Sequence, residues 1–359
     1  METLEATPLT IRGGSRTADK FAFPAANWLY FVQRSRHVLI LGTVDGRLQL
    51  WDYVDERMAL ECTRNVITPS AAPALGNIQV VSIDVFPKEV PLGGHAQVVA
   101  SFTNRSIWIG TLKADGELTQ AALITLEEGF LPKTVRFDTA SANILAFAFN
   151  GGNVASIDSR TGNILWRKGD APKIMGSVTL DDACSHFIAC TPQGFELWDL
   201  ENMARIKKFE QLPVLLSMPK HACFSEQNTK VIGGTDRGCA EVYHVATGRV
   251  EQSLPYYLGG LVQSVATCIR PEGYLVAVAG SNGHQPCDVI LWYKTKIPAK
   301  VATSSQDSWT WNCSFQVRKK HVTWTAYTVL VVLVIFCYSA ALVLFNETIS
   351  YGLNQIWPF

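Results

Sequence analysis

One pattern constrains this chain more than any other. A strand-like run, a tight polar turn and a second strand-like run recur six times, at 37–52, 97–111, 143–158, 186–199, 230–244 and 274–293. The first run is apolar, the turn is rich in Gly, Asn and Asp, and the second run ends on an aromatic or apolar residue. Those end positions are Trp51, Ile109, Ile157, Trp198, Tyr243 and Trp292, spaced 41 to 58 residues apart. Period-two alternation broken by regular turns predicts strands, and no amphipathic helix stands out over residues 20–300.

The remaining strands of each unit can be placed around these pairs. Inner-strand candidates precede them at 78–86, 133–140, 214–224 and 262–270, and outer-strand candidates follow at 163–169, 204–210 and 249–254. A repeat of roughly 40–50 residues holding four short strands predicts an all-β fold, a single β-propeller of four-stranded blades. Six blades fit residues 25–300, and seven fit if divergent units are merged. Residues 1–24 form an N-terminal segment in which Pro8–Arg12 is expected to supply the outer strand of the last blade, closing the ring.

The copies resemble WD40 repeats, and Trp51-Asp52 and Trp198-Asp199 carry the WD dipeptide itself. With Tyr243 and Trp292 they form the repeat signature. The resemblance covers about 275 residues and departs from the family in two ways. Only two of six copies show WD, and Gly94-His95 falls just before a second strand rather than at the usual GH position. The histidine–serine–tryptophan–aspartate hydrogen-bond set is assembled in no copy. Residues 155–168 also resemble one repeat of the quinoprotein-type propellers.

Beyond the repeats, residues 301–321 read as a polar and basic linker, and residues 322–345 are 24 residues without a charge. As a helix this span is about 36 Å long at about 1.5 Å per residue, enough to cross a bilayer. Arg318, Lys319 and Lys320 precede it, and the tail 346–359 has no Lys or Arg. The positive-inside rule therefore places the propeller in the cytosol and the tail in the lumen, with Trp324, Tyr327, Tyr351 and Trp357 as interfacial aromatics. The N-terminus lacks the basic and apolar regions of a cleaved signal peptide. The layout resembles a single-pass, tail-anchored protein of the endoplasmic reticulum.

Catalytic motifs are missing from the sequence. Lys+Arg and Asp+Glu are both 31, which argues against nucleic-acid binding by general electrostatics. There is no P-loop, G-x-S-x-G or H-E-x-x-H. His221 and Cys223 stand two apart, but one strand cannot close a zinc site, so the pair reads as the start of a strand. Asp181-Asp182 reads as turn chemistry. Arg34, Arg36, Lys207 and Lys208 read as solvated strand edges. The nine cysteines are scattered without C-x-x-C, as expected of reduced, mostly buried thiols. The sequons at Asn104, Asn312 and Asn346 read as chance matches. Two stretches exceed their counterparts in length, 66–76 and 87–96, and long loops on a rigid scaffold favour function.

These observations predict a membrane-tethered, non-catalytic protein-interaction scaffold with no cofactor, no metal and no catalytic residues, its protein partner unnamed. The alternative is a role like that of the WD40 exchange factors of the endoplasmic reticulum, which activate a small GTPase and regulate vesicle-coat assembly. A third class, a quinoprotein-type enzyme, would need a cofactor pocket that one repeat copy does not supply.

Overall fold

Short runs of Val, Ile, Leu, Phe and Ala, broken by Gly and Asp turns, build six sheets. The computed structural model describes residues 10–12, 23–57, 59–67, 78–210, 212–216, 218–256, 259–271, 273–281, 289–295 and 312–316. The chain divides into two units, Met1–Val317 and Arg318–Phe359, and all described residues belong to the first. Among them no helix is long and apolar enough to cross a membrane. The span 322–345 lies outside the described residues. So do Arg318, Lys319, Lys320, Trp324, Tyr327, Tyr351 and Trp357.

The fold is a six-bladed β-propeller. Blade 1 contains β2 (Ala25–Phe31), β3 (Arg36–Gly42), β4 (Arg47–Val54) and β5 (Ala59–Ile67), with β1 (Thr10–Arg12) added in parallel beside β5. Blade 2 contains β6 (Val80–Phe86), β8 (His95–Phe102), β9 (Ser106–Lys113) and β10 (Leu118–Thr125). Between its first two strands, β7 (Glu89–Val90) reaches back to pair in parallel with β2. Blade 3 is β11 (Pro132–Phe137), β12 (Ile144–Ala148), β13 (Val154–Ile157) and β14 (Ile164–Lys168). Blade 4 is β15 (Val178–Leu180), β16 (His186–Thr191), β17 (Gly194–Asp199) and β18 (Arg205–Lys208). Blade 5 is β19 (Ala222–Ser225), β20 (Lys230–Gly234), β21 (Cys239–His244) and β22 (Val250–Pro255). Blade 6 is β23 (Leu261–Arg270), β24 (Gly273–Ser281), β25 (Val289–Thr295) and β26 (Asn312–Gln316).

Alternation along each strand sends neighbouring side chains to opposite blades. Phe187 packs with Phe147 of blade 3, while Ile188 packs with Val231 of blade 5. Apolar clusters of this kind join blades 1 to 2, 2 to 3, 3 to 4, 4 to 5 and 5 to 6. Near the axis, polar side chains tie the inner strands of four neighbouring blade pairs, 1–2, 2–3, 4–5 and 5–6. Asn27 donates to Asp84 and to the Ile83 carbonyl, and Asp84 and Ser82 accept the N–H groups of Phe137 and Val135. Ser177 and Thr179 donate to the carbonyls of Lys220 and Ala222, and Thr267 donates to that of Phe224.

Three sequence expectations change here. Of the stretch Pro8–Arg12, the described part, β1, does not close the last blade but pairs with β5 of blade 1, and the fourth strand of blade 6 is β26, from the stretch read as linker. The inner strand expected at 214–224 covers only Ala222–Ser225, and the residues before it form a loop. Ile109 is not the counterpart of Trp51. Every blade carries a one-residue bulge in its fourth strand, opposite the step Leu50/Trp51, Ser156/Ile157, Leu197/Trp198, Val242/Tyr243 or Leu291/Trp292 in blades 1 and 3–6. In blade 2 the bulge falls between Ile109 and Gly110, so Gly110 holds the signature position. The indole of Trp108, two residues earlier on the same face, lies over it: a Cβ on Gly110 would stand 2.0 Å from Trp108 Cη2.

Candidate functional site

Blade topology sorts the loops onto two faces. One, the connection face, carries the blade-to-blade connections and the turns between second and third strands. The opposite face carries the other turns. On the connection face a cluster of large apolar side chains stands in solvent. Phe149 follows β12, Ile174 precedes β15, and Leu212, Leu215, Leu216 and Met218 come from the connection between β18 and β19. Leu215 is 65% exposed and Leu212 60%. Single exposed leucines are ordinary, but six large apolar side chains on one face make a candidate interaction surface. A cavity of about 180 Å³ opens beside three of them, Phe149, Ile174 and Met218, and is lined also by Val214 and Pro219.

The loop bearing the ledge is pinned from beneath. Asp236, in the turn after β20, accepts the N–H groups of Leu215 and Leu216 at 2.6 and 2.7 Å. Lys220 Nζ donates to the Leu216 carbonyl at 3.0 Å and stands 3.8 Å from Asp236. Both of these charged side chains are buried. Arg237 donates to the Pro213 carbonyl. Burial works against the charge on Asp236. The Leu216 and Leu215 N–H groups and the Lys220 ammonium outweigh it and hold the carboxyl below its ordinary value. A buried pair thus fixes main chain whose apolar side chains point outward. Sequence reasoning missed this site because it read the run 214–224 as buried strand. The usable signal was Pro219, which separates the leucines from the strand proper.

The opposite face holds the loop 87–96, which the sequence singled out. Its β7 docks on blade 1, and Leu92 at its tip is 73% exposed. Polar grooves of about 320 and 310 Å³ flank it. One is lined by Gln33, Arg34, His95 and Asp115, the other by His95, Gln97, Asn143, Asp158 and Arg160. Gln97 Oε1 has no hydrogen-bond partner in the second groove's wall. Of the long stretch at 66–76, most lies outside the described residues.

The signature residues serve packing. Trp51, Trp198 and Tyr243 each use a side chain two residues earlier: Trp51 donates to Gln49 at 3.1 Å, Trp198 to Glu196 at 3.1 Å, and Tyr243 to Glu241. Trp292 has Ile290 at that place, and its Nε1 has no partner among the described residues. Asp52 holds Arg36 in a two-pronged ion pair, and Arg36 also donates to the Ala114 carbonyl of blade 2. Arg36 is therefore a clamp between blades, not a solvated edge. Lys207 likewise caps the Ala246 carbonyl of blade 5. Asp199 accepts the Asn202 N–H in its turn.

Asp181 behaves as turn chemistry requires, accepting the N–H groups of Ser185 and His186. Burial pushes this carboxyl up, and the hydrogen bonds from His186 and Ser185 more than reverse it. Asp181, His186 and Ser185 touch one another at 2.9 Å, but Ser185 and Asp181 both meet Nδ1 of the ring. A nucleophilic triad needs the two partners on different ring nitrogens, so this trio closes a turn. Cys223 donates to the Val265 carbonyl, and burial pushes its thiol up to about 12. Among the described residues no three His, Cys, Asp or Glu side chains are arranged to hold a metal ion. The six described cysteines are free. Cys190 is buried, while Cys62 and Cys268 are exposed, against the expectation of mostly buried thiols.

Compared with models of known protein families and with curated proteins, the sequence matches none.

Proposed function

We propose that this protein is a non-catalytic interaction scaffold of the WD40 kind that binds a protein partner through the apolar ledge Leu212–Met218. The observation that carries the reading is the pinned loop. Buried Asp236 and Lys220 hold its main chain while Leu212, Leu215, Leu216 and Met218 stand in solvent. A rigid apolar surface loses little conformational entropy on binding, which favours recognition. The charge-free span 322–345, with Arg318, Lys319 and Lys320 before it, supports a membrane-tethered scaffold facing the cytosol. Endoplasmic reticulum residence follows by analogy with tail-anchored proteins of this layout. The exchange-factor alternative gains no observation in its favour: the turn Thr43–Gly46 of blade 1 is tight, closed by Thr43 and Gly46 hydrogen bonds.

The test compares partners captured by the wild type, by Leu215→Asp/Leu216→Asp, and by Leu92→Asp on the opposite face. Partners lost in the first variant and kept in the second support the ledge. An unchanged partner set in the first variant refutes it. Protease protection on sealed microsomes, with a tag at each end, tests the tether: digestion of the propeller with survival of the C-terminal tag is the expected result.

A further inference from the structure

Between blades 2 and 3 the apolar packing stops short of the face opposite the ledge. Val99 on β8 and Ile144 and Ile157 on blade 3 are buried in that packing. Gln97 stands two residues before Val99 on the same side of β8, and Asn143 and Asp158 adjoin Ile144 and Ile157 at the strand ends. These three line the polar groove of about 310 Å³. Polar atoms shielded from water are normally paired within a fold, and an exception calls for a cause. Two exceptions meet in this wall. Gln97 Oε1 is buried with no partner. Ser159 is 5% exposed, and its hydroxyl has no hydrogen bond among the described residues. The Asn143 side-chain amide, the His95 ring and the Arg160 guanidinium line the same groove, also without a hydrogen bond or ion pair among the described residues. We propose that this groove binds an extended peptide segment of a partner protein, whose main-chain N–H and C=O groups are taken by Gln97, Asn143, Ser159 and Arg160.

The wall sets the chemistry of the ligand. A primary amide carries two donors and an acceptor, and a hydroxyl both donates and accepts. Gln97, Asn143 and Ser159 can therefore serve a peptide group in either direction, and Arg160 adds donors for a carbonyl. The charge of Arg160 is balanced by Asp158, the one carboxylate among the lining residues. That carboxylate is engaged by its own turn, accepting the Arg160 and Thr161 N–H groups and the Thr161 hydroxyl. A balanced wall suits an uncharged main chain better than a phosphate or a carboxylate. Phe86 and Pro87 add an apolar border for a side chain. The Phe86 ring packs on Phe137 with centroids 6.0 Å apart, so its packed face offers no platform for a sugar. A helix spends its main-chain groups on itself, so the segment that fits is extended. The groove and the ledge lie on different faces, so a peptide here leaves the ledge free.

The experiment pans a phage-displayed library of random linear peptides on the full-length protein, then measures an enriched peptide by fluorescence anisotropy. The peptide should bind about tenfold more weakly to Gln97→Met and to Asn143→Ala, as for loss of one or two hydrogen bonds. Tm separates this loss from misfolding. Gln97 Oε1 and the Ser159 hydroxyl have no partner among the described residues, so Gln97→Met and Ser159→Ala should keep or raise Tm. Lys208→Ala, on the exposed outer strand of blade 4, is the control and should bind the peptide as the wild type does. No enriched peptide, equal affinity in Gln97→Met, a lower Tm in Gln97→Met and Ser159→Ala, equal loss in Lys208→Ala, or displacement of the peptide by maltotriose would each overturn the proposal. So would a peptide set lost only in Leu215→Asp/Leu216→Asp, which belongs to the ledge.

Discussion

Replacing Gly110 by Ala should cost far more than a strand glycine ordinarily does. In a strand interior Ala is favoured over Gly by roughly 0.5–1 kcal/mol. Here the added Cβ would stand 2.0 Å from Trp108 Cη2 and 2.7 Å from the Thr119 carbonyl oxygen. Trp108 is 1% exposed, and its Nε1 donates to Gln120 Oε1 at 3.1 Å. The ring has no free volume to move into, so it must leave its rotamer or push β10 away. Overpacking of this kind costs about 1–3 kcal/mol, and losing the indole hydrogen bond adds about 1 kcal/mol. A total of about 2–4 kcal/mol lowers Tm by about 4–8 °C, at about 2 °C per kcal/mol. The assay is calorimetry on wild type, Gly110→Ala, Trp108→Leu and the double variant. With the ring removed, the Ala substitution retains only its contact with the Thr119 carbonyl. The cycle should therefore show about 2 kcal/mol of coupling. If Gly110→Ala costs the same in both backgrounds, the indole does not occupy the signature place of blade 2.

Three further outcomes follow from other contacts. Asp236→Ala strands buried Lys220 and two N–H groups, so it should destabilise by about 3–5 kcal/mol and speed limited proteolysis within 212–219. Unchanged cleavage would mean that the pair does not hold the loop. Arg36→Met and Asp52→Asn should couple by more than about 1 kcal/mol in a double-mutant cycle, because both side chains are largely shielded from solvent. Additive effects would reduce the clamp to a surface pair. His221 is held below its ordinary value near 6.5, so the unfolded chain takes up the proton first. Its neutral native form is fully accommodated above that value, and stability falls as pH drops through about 6.5. Tm measured at pH 7.5 and 5.5 should fall less in His221→Gln than in the wild type; an equal fall would assign the loss to other groups.

The repeat was readable because each blade must bury two faces, and that demand writes apolar alternation into its strands. Hence the second and third strands appear at 37–52 and 186–199 almost as the sequence marks them. Bulges were not readable. A single extra residue opposite Gly110 shifts the register by one, and nothing in the local pattern distinguishes Ile109 from its neighbours. The loop at Leu215 misleads for a related reason: apolar residues meant for a surface look like residues meant for a core. Arg36 shows the third limit. Its charge suggested solvent, while its partners lie 16 and 78 residues away along the chain.

The blades also show that this propeller has no single repeated hydrogen-bond set at the signature position. Trp51, Trp198 and Tyr243 are satisfied locally, by Gln49, Glu196 and Glu241 two residues before them on the same strand face. Ile157 needs no partner, and Gly110 borrows the ring of Trp108. Each of these hydrogen bonds is made within one blade, while the same rings pack across to the neighbouring blade, Tyr243 on Phe195 and Phe209 of blade 4. The axial ties are equally varied, from Asn27–Asp84 to Ser177 and Thr179 on main-chain carbonyls. What the blades share is the alternation that buries both faces; the polar partners differ from one blade to the next. The connection between β18 and β19 carries an exposed ledge in the same local way: Asp236 and Lys220 anchor its main chain to blade 5, while Met218 and Pro219 border Phe149 of blade 3 and Cys190 of blade 4.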